Sequence, residues 1–151
     1  MENENNRKSM TILLVEDSPS DADLTVEALE EGNTPNELHI VGDGIEALQF
    51  LRHEEPYADA PNPDLILLDL NLPRKDGREV LKEIKADKNL KRIPVIVLTT
   101  SSAEEDVCRT YDDYANCYVT KPVNIDEFIR VLRSMEEFWL TFVKFPIKCD
   151  E

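Results

Sequence analysis

Apolar residues along this chain fall into short unbroken runs separated by polar turns. In Leu65-Ile66-Leu67-Leu68 the polar alternation of a half-exposed strand is missing, which predicts a strand covered on both faces, as in a parallel sheet. Residues 11–15 and 95–98 have the same character, and shorter strands are predicted over 37–41 and 117–120. Between the runs the period changes to that of a helix. Ser18, Pro19 and Asp21 read as N-cap, first-turn proline and capping-box carboxylate, ahead of a helix with Ala22, Val26 and Leu29 on one face and Gly32-Asn33 at its end. Asp43-Gly44 turns the chain into a second helix carrying Ile45, Leu48 and Leu51. Gly77 precedes a third, with Val80, Leu81 and Ile84 inward, and residues 85–92 form a basic connector read as a solvated face. Pro94 opens the fourth strand. A helix over about 103–113 has few large apolar residues and is expected to be weakly anchored, and Asn124 caps a last helix running to about residue 142.

Five strands alternate with five helices. Short connections and right-handed crossovers make this an α/β chain, a doubly wound (βα)5 three-layer sandwich around a five-stranded parallel sheet. Residues 1–9 are polar and without periodicity, so the expected division is a disordered tail over 1–9, one domain over 10–142 and a C-terminal extension over 143–151.

At 151 residues the chain is long enough to fold without disulfides or a structural metal. Its net charge of -15, from 32 acidic and 17 basic residues, opposes approach to nucleic acid or an anionic membrane and points to a protein partner. Cys108, Cys117 and Cys149 lack metal-ligand spacing, and no secretory leader precedes the first strand, so a cytoplasmic location is expected. No apolar run is long enough to span a bilayer. His39 and His53 read as surface or strand-edge residues.

The chemistry collects at the strand ends. Asp69 closes the most apolar strand, Glu16-Asp17 follows the first, Thr99 and Thr100 follow the fourth, and Lys121-Pro122 follows the fifth. In a parallel sheet these ends share one edge, where open α/β sheets form their ligand crevice. Three crowded carboxylates need raised pKa values or a cation, and hard oxygen ligands suit Mg²⁺. A carboxylate beside Mg²⁺, a lysine and a hydroxyl is suited to accept a phosphoryl group, with Asp69 as nucleophile.

The acidic pair Glu16-Asp17, Asp69 with Asn71 and Pro73, the Thr99 step and Lys121-Pro122 resemble the receiver domain of two-component response regulators, over about residues 11–140. That resemblance implies a flavodoxin-like fold with Asp69 as phosphoacceptor. It further implies Asp17 as a direct Mg²⁺ ligand with Glu16 assisting through water, and Asn71 lending its backbone carbonyl. By the same resemblance Thr99 and Lys121 contact the phosphoryl group, Tyr118 is the switch aromatic, and the bond before Pro122 is cis. The family more often has aspartate where Glu16 stands. The strings VEDS, LLDLNLP, DGREVL, RIPVIVLTTS and CYVTKP look similar to stand-alone receivers paired with bacterial phytochrome histidine kinases; a receiver from another phosphorelay is the alternative.

The last helix spreads apolar residues, among them Val131, Met135, Phe138 and Phe142, over an arc of roughly 200°, about twice a usual core stripe. With Val143, Phe145 and Ile147 beyond it, the surplus suggests a partner or homodimer surface; the alternative is an extension that folds back on its own domain. Two rivals share parts of the pattern. A haloacid dehalogenase type phosphohydrolase needs a second aspartate where Asn71 stands, and in a flavodoxin-like cofactor carrier Glu16-Asp17 would repel the cofactor phosphate.

Overall fold

In a computed structural model of the chain, the structure describes residues 10–31, 36–99 and 117–120, together with Asp126 and Arg130. The strands are β1 (Met10–Val15), β2 (Asn36–Val41), β3 (Leu65–Asp69), β4 (Val95–Thr99) and β5 (Cys117–Thr120). The described helices are α1 (Pro19–Glu31), α2 (Gly44–Leu51) and α3 (Gly77–Ala86). The five strands form one parallel sheet in the order β2-β1-β3-β4-β5. The expected doubly wound α/β architecture is therefore present. The helices expected over 103–113 and 124–142, the Lys121-Pro122 step and the three-part division at the termini lie outside the described residues, where only Asp126 and Arg130 are placed, both helical.

The unbroken apolar runs are explained by two cores. On one sheet face Leu13, Val15, Ile66, Leu68, Val95 and Val97 pack with α2 and α3 residues such as Leu48, Phe50, Val80 and Ile84. On the other, Ile12, Leu14, Leu65, Leu67, Ile96 and Leu98 pack with Ala22 and Leu29 of α1. Every β3 residue is buried, Asp69 included, so a polar residue between them would face a helix rather than water. The entry into β3 is tied to the start of β1: Thr11 N–H donates to Asp64 Oδ2 (2.9 Å), and Asp64 N–H donates to the Thr11 carbonyl (2.7 Å).

Local sequence signals act as caps. Ser18 Oγ accepts from Asp21 N–H (3.3 Å) and Asp43 Oδ1 accepts from Glu46 N–H (2.8 Å), which satisfies amides that helix starts leave open. The Ser18 amide, which a capping box would bind through Asp21, donates to Glu16 Oε2 (3.3 Å), so the acidic pair also organises the turn into α1. Of the apolar residues expected on α2, Leu48 and Leu51 are buried and Ile45 is exposed; the helix meets the core through Ala47, Leu48, Phe50 and Leu51. His39, on edge strand β2, lies 2.9 Å from Glu37 and tilts over Phe50 at 5.3 Å between ring centres, as an edge histidine should. His53 Nε2 lies 2.9 Å from Asn62 Oδ1. The cis X-Pro bond among the described residues is Glu55-Pro56.

The connector after α3 is not uniformly solvated. Leu90 is buried, and Lys85 Nζ donates to the carbonyls of Lys91 (2.9 Å) and Ile93 (2.7 Å), fastening the chain just before β4. Burial of the Lys85 ammonium pulls its pKa from 10.5 down to about 8. Because the unfolded chain then binds more protons than the folded one between those values, this lysine's contribution to stability rises with pH from about 8 to 10.5. Wild type is expected to gain stability relative to Lys85→Met as pH increases through that window; urea unfolding at several pH values checks it, and parallel profiles would contradict it.

Candidate phosphoryl-acceptor and metal site

The sheet order puts β1 beside β3, with Val15 opposite Leu68, so the residues leaving both strands emerge together. This is also the point where the strand order reverses, the position at which open α/β sheets leave a crevice beyond their carboxyl ends. Glu16, Asp17 and Asp69 each place a carboxylate oxygen there, all within 4.8 Å of one another. Glu16 and Asp69 are buried and Asp17 is exposed, so the cluster is open on one side.

Two carboxylates are oriented by backbone amides. Asn71 N–H donates to Asp69 Oδ1 (3.1 Å), and Ser18 N–H donates to Glu16 Oε2 (3.3 Å). Each bond fixes a carboxylate relative to the turn that follows its own strand. Three negative groups at this separation repel strongly where two have little water around them. An oxygen-only donor set, partly exposed and with room for water, fits a hard divalent cation such as Mg²⁺.

The sequence-predicted residues are brought together only in part. Glu16, Asp17, Asp69 and the Asn71 backbone meet at one edge, as expected. Thr99 ends β4 at that same edge, one residue beyond the Leu98 that pairs with Asp69, and lies opposite Thr120 of β5. Tyr118 pairs with Val97 along β5. Lys121 lies outside the described residues.

Gly77, expected only as the residue before the third helix, lies close against the site. It is the first residue of α3, its N–H donates to the Leu70 carbonyl (3.0 Å), and a Cβ there would lie 2.6 Å from Leu70 Cα. A glycine eight positions after a strand-end aspartate, at a helix start, is the signal that could have marked this approach.

Comparison with known proteins agrees with this geometry. Residues 12–133 match the response regulator receiver domain. The chain belongs to the response regulator receiver family. This receiver is 50% identical over 135 residues to response regulator Rcp1 of Synechocystis sp., with 89% of this chain and 92% of that protein covered. It is also similar to the crystal structure of the phosphorylated cyanobacterial phytochrome response regulator RcpA, at 52% identity and a TM-score of 0.74, covering 89% of this chain and 96% of that one. For the Mn²⁺-bound form of Rcp1 the identity is 50% and the TM-score 0.73, covering 88% and 96%. No described helix of the receiver is long and apolar enough to cross a membrane.

A cation that binds only the folded cluster stabilises it by mass action, about 2.7 kcal/mol at a concentration one hundred times its Kd. Mg²⁺ is therefore expected to raise the melting temperature of wild type. Asp17→Asn should melt higher than wild type without metal, because one of the repelling charges is gone, and should lose most of the Mg²⁺ response. Thermal melts with and without Mg²⁺ check both; an Asp17→Asn protein with an undiminished response would remove Asp17 from the site.

Proposed function

We propose that this receiver takes a phosphoryl group onto Asp69 from the phosphohistidine of a sensor histidine kinase and signals through the surface that this changes. The observation that carries the reading is the cluster of Glu16, Asp17 and Asp69 within 4.8 Å at the strand ends of a chain that matches the receiver domain over residues 12–133. An Asp69 carboxylate oxygen attacks phosphorus, the phosphorus–nitrogen bond to the imidazole breaks, and the product is an acyl phosphate. The Asn71 amide holds the aspartate in place for that attack. Asp17, Asp69 and the Asn71 carbonyl would hold Mg²⁺, with Glu16 assisting through water. When bound, the ion supplies positive charge to the transferring oxygens. Thr99 donates its hydroxyl to the phosphoryl group and Lys121 its ammonium.

The new group brings ~1.5 to 2 negative charges, and Thr99 and Tyr118 couple it to the surface. The protein is on this reading a signalling phosphoacceptor rather than a turnover enzyme, with self-catalysed transfer and slow autodephosphorylation. Its functional unit is the domain over residues 10–142, flanked by the tail over 1–9 and the extension over 143–151. Support for a phytochrome kinase as partner comes from the 50% and 52% identity to Rcp1 and to the phytochrome response regulator RcpA. A cytoplasmic setting is part of the same reading.

Incubation with acetyl phosphate and Mg²⁺, followed by mass spectrometry, is expected to show one labile phosphoryl group that is absent from Asp69→Asn and from samples with the metal chelated. Labelling that persists in the variant would overturn the assignment. Self-association through the last helix and the extension is expected to strengthen on phosphorylation. Sedimentation with and without a phosphoryl analogue tests this, and a monomer at high concentration in both conditions would rule it out.

A further inference from the structure

The loop between β3 and α3 carries Asn71, yet it is gripped from α2, an element that contributes nothing to the acidic cluster. A Cβ on Gly44, the first residue of α2, would clash with the Lys75 carbonyl oxygen and lie 2.7 Å from Val80 Cγ2. A backbone carbonyl cannot swing aside as a flexible side chain can. Gly42, two residues earlier, differs: a Cβ there meets only Glu46 Oε1, at an ordinary 3.8 Å. Neither glycine has positive φ, so it is space rather than backbone freedom that Gly44 supplies.

Asp43 adds a second hold. While Oδ1 caps α2, Oδ2 faces Arg74 Nε at 3.4 Å, and Arg74 sits in the loop with φ of 69°. That left-handed conformation is costly for a residue with a Cβ and persists only where its surroundings impose it. From the other side Gly77 is packed under Asp69 and Leu70, and Lys75 Nζ pairs with Glu83 of α3 at 2.7 Å.

We infer that Gly44, Asp43 and Arg74 are positioning residues for the phosphoryl-acceptor site, because the α2 N-terminus holds the loop against which Asn71 orients Asp69. The inference rests on the proposed function. It deepens it by extending the site to α2.

Mg²⁺ titrations followed by the NMR shift of the Asn71 amide, with melting temperatures measured in parallel, test it. Gly44→Ala is expected to shift that amide before metal is added and to weaken Mg²⁺ binding ~10-fold, the scale on which supporting contacts act on metal sites. Gly42→Ala is expected to match wild type. Ile84→Val, a core change away from the loop, should lower the melting temperature yet keep the metal affinity. Arg74→Ala separates positioning from charge. Removing a cation next to an acidic site tightens Mg²⁺ binding by electrostatics alone, whereas loss of the loop hold weakens it. Weaker binding is expected. Tighter or unchanged binding in Arg74→Ala overturns the inference, and this exposed variant decides alone if Gly44→Ala does not fold. Should wild type bind Mg²⁺ and label on Asp69 while the folded variants keep its affinity, only the inference fails. A wild type that shows neither would sink the acceptor reading, and the inference with it.

Discussion

Mutual repulsion among three carboxylates is the constraint around which this molecule is built. Glu16, Asp17 and Asp69 come within 4.8 Å of one another, and two of them are buried. Left alone, such groups would move apart. They are held because β1 and β3 are adjacent parallel strands whose apolar residues are buried by helices on both faces, so neither strand can slide without moving its whole apolar set. The stability of the two cores is thus coupled to an unfavourable local arrangement of charge. That arrangement is what makes the edge receptive to a cation and to phosphoryl chemistry.

The turns after the two strands complete the arrangement with backbone groups. Ser18 N–H on Glu16 and Asn71 N–H on Asp69 orient side chains that could otherwise rotate away from one another. In the second case the amide belongs to a loop hemmed in by Gly44, Gly77 and the Asp43–Arg74 pair. Precision at the acceptor therefore depends on contacts that carry no reactive chemistry. With its arginine exposed, the ion pair by itself contributes little to stability, as pairs at the surface generally do. Its importance is geometric, since it joins a helix cap to the loop that bears Asn71.

Much of this was legible along the chain. The runs 65–68 and 95–98 are apolar at every position because both sides of each strand are covered, and Ser18 and Asp43 announce helix starts through their own hydroxyl and carboxylate. Where periodicity misled, the cause was a choice among neighbours. Ile45 falls in step with Leu48 and Leu51 yet is exposed while Phe50 is buried, and Lys85 looks like a solvated lysine until its ammonium meets the Lys91 and Ile93 carbonyls. A local window carries no information about such partners, because they depend on where the following strand returns.

By itself the sequence determined the alternation of strand and helix, the buried character of the strands, and the set of acidic, hydroxyl and basic residues that leave their ends. These follow from burial and capping, which act over a few residues at a time. Only the tertiary structure decided that β1 lies between β2 and β3, so that Glu16-Asp17 stands next to Asp69 rather than merely at the same edge. It likewise decided that Gly44 would press on Lys75, thirty-one residues later in the chain. Strand order and close backbone approach arise when separate segments compete for the same two sheet faces, and that competition is resolved only when the whole chain packs.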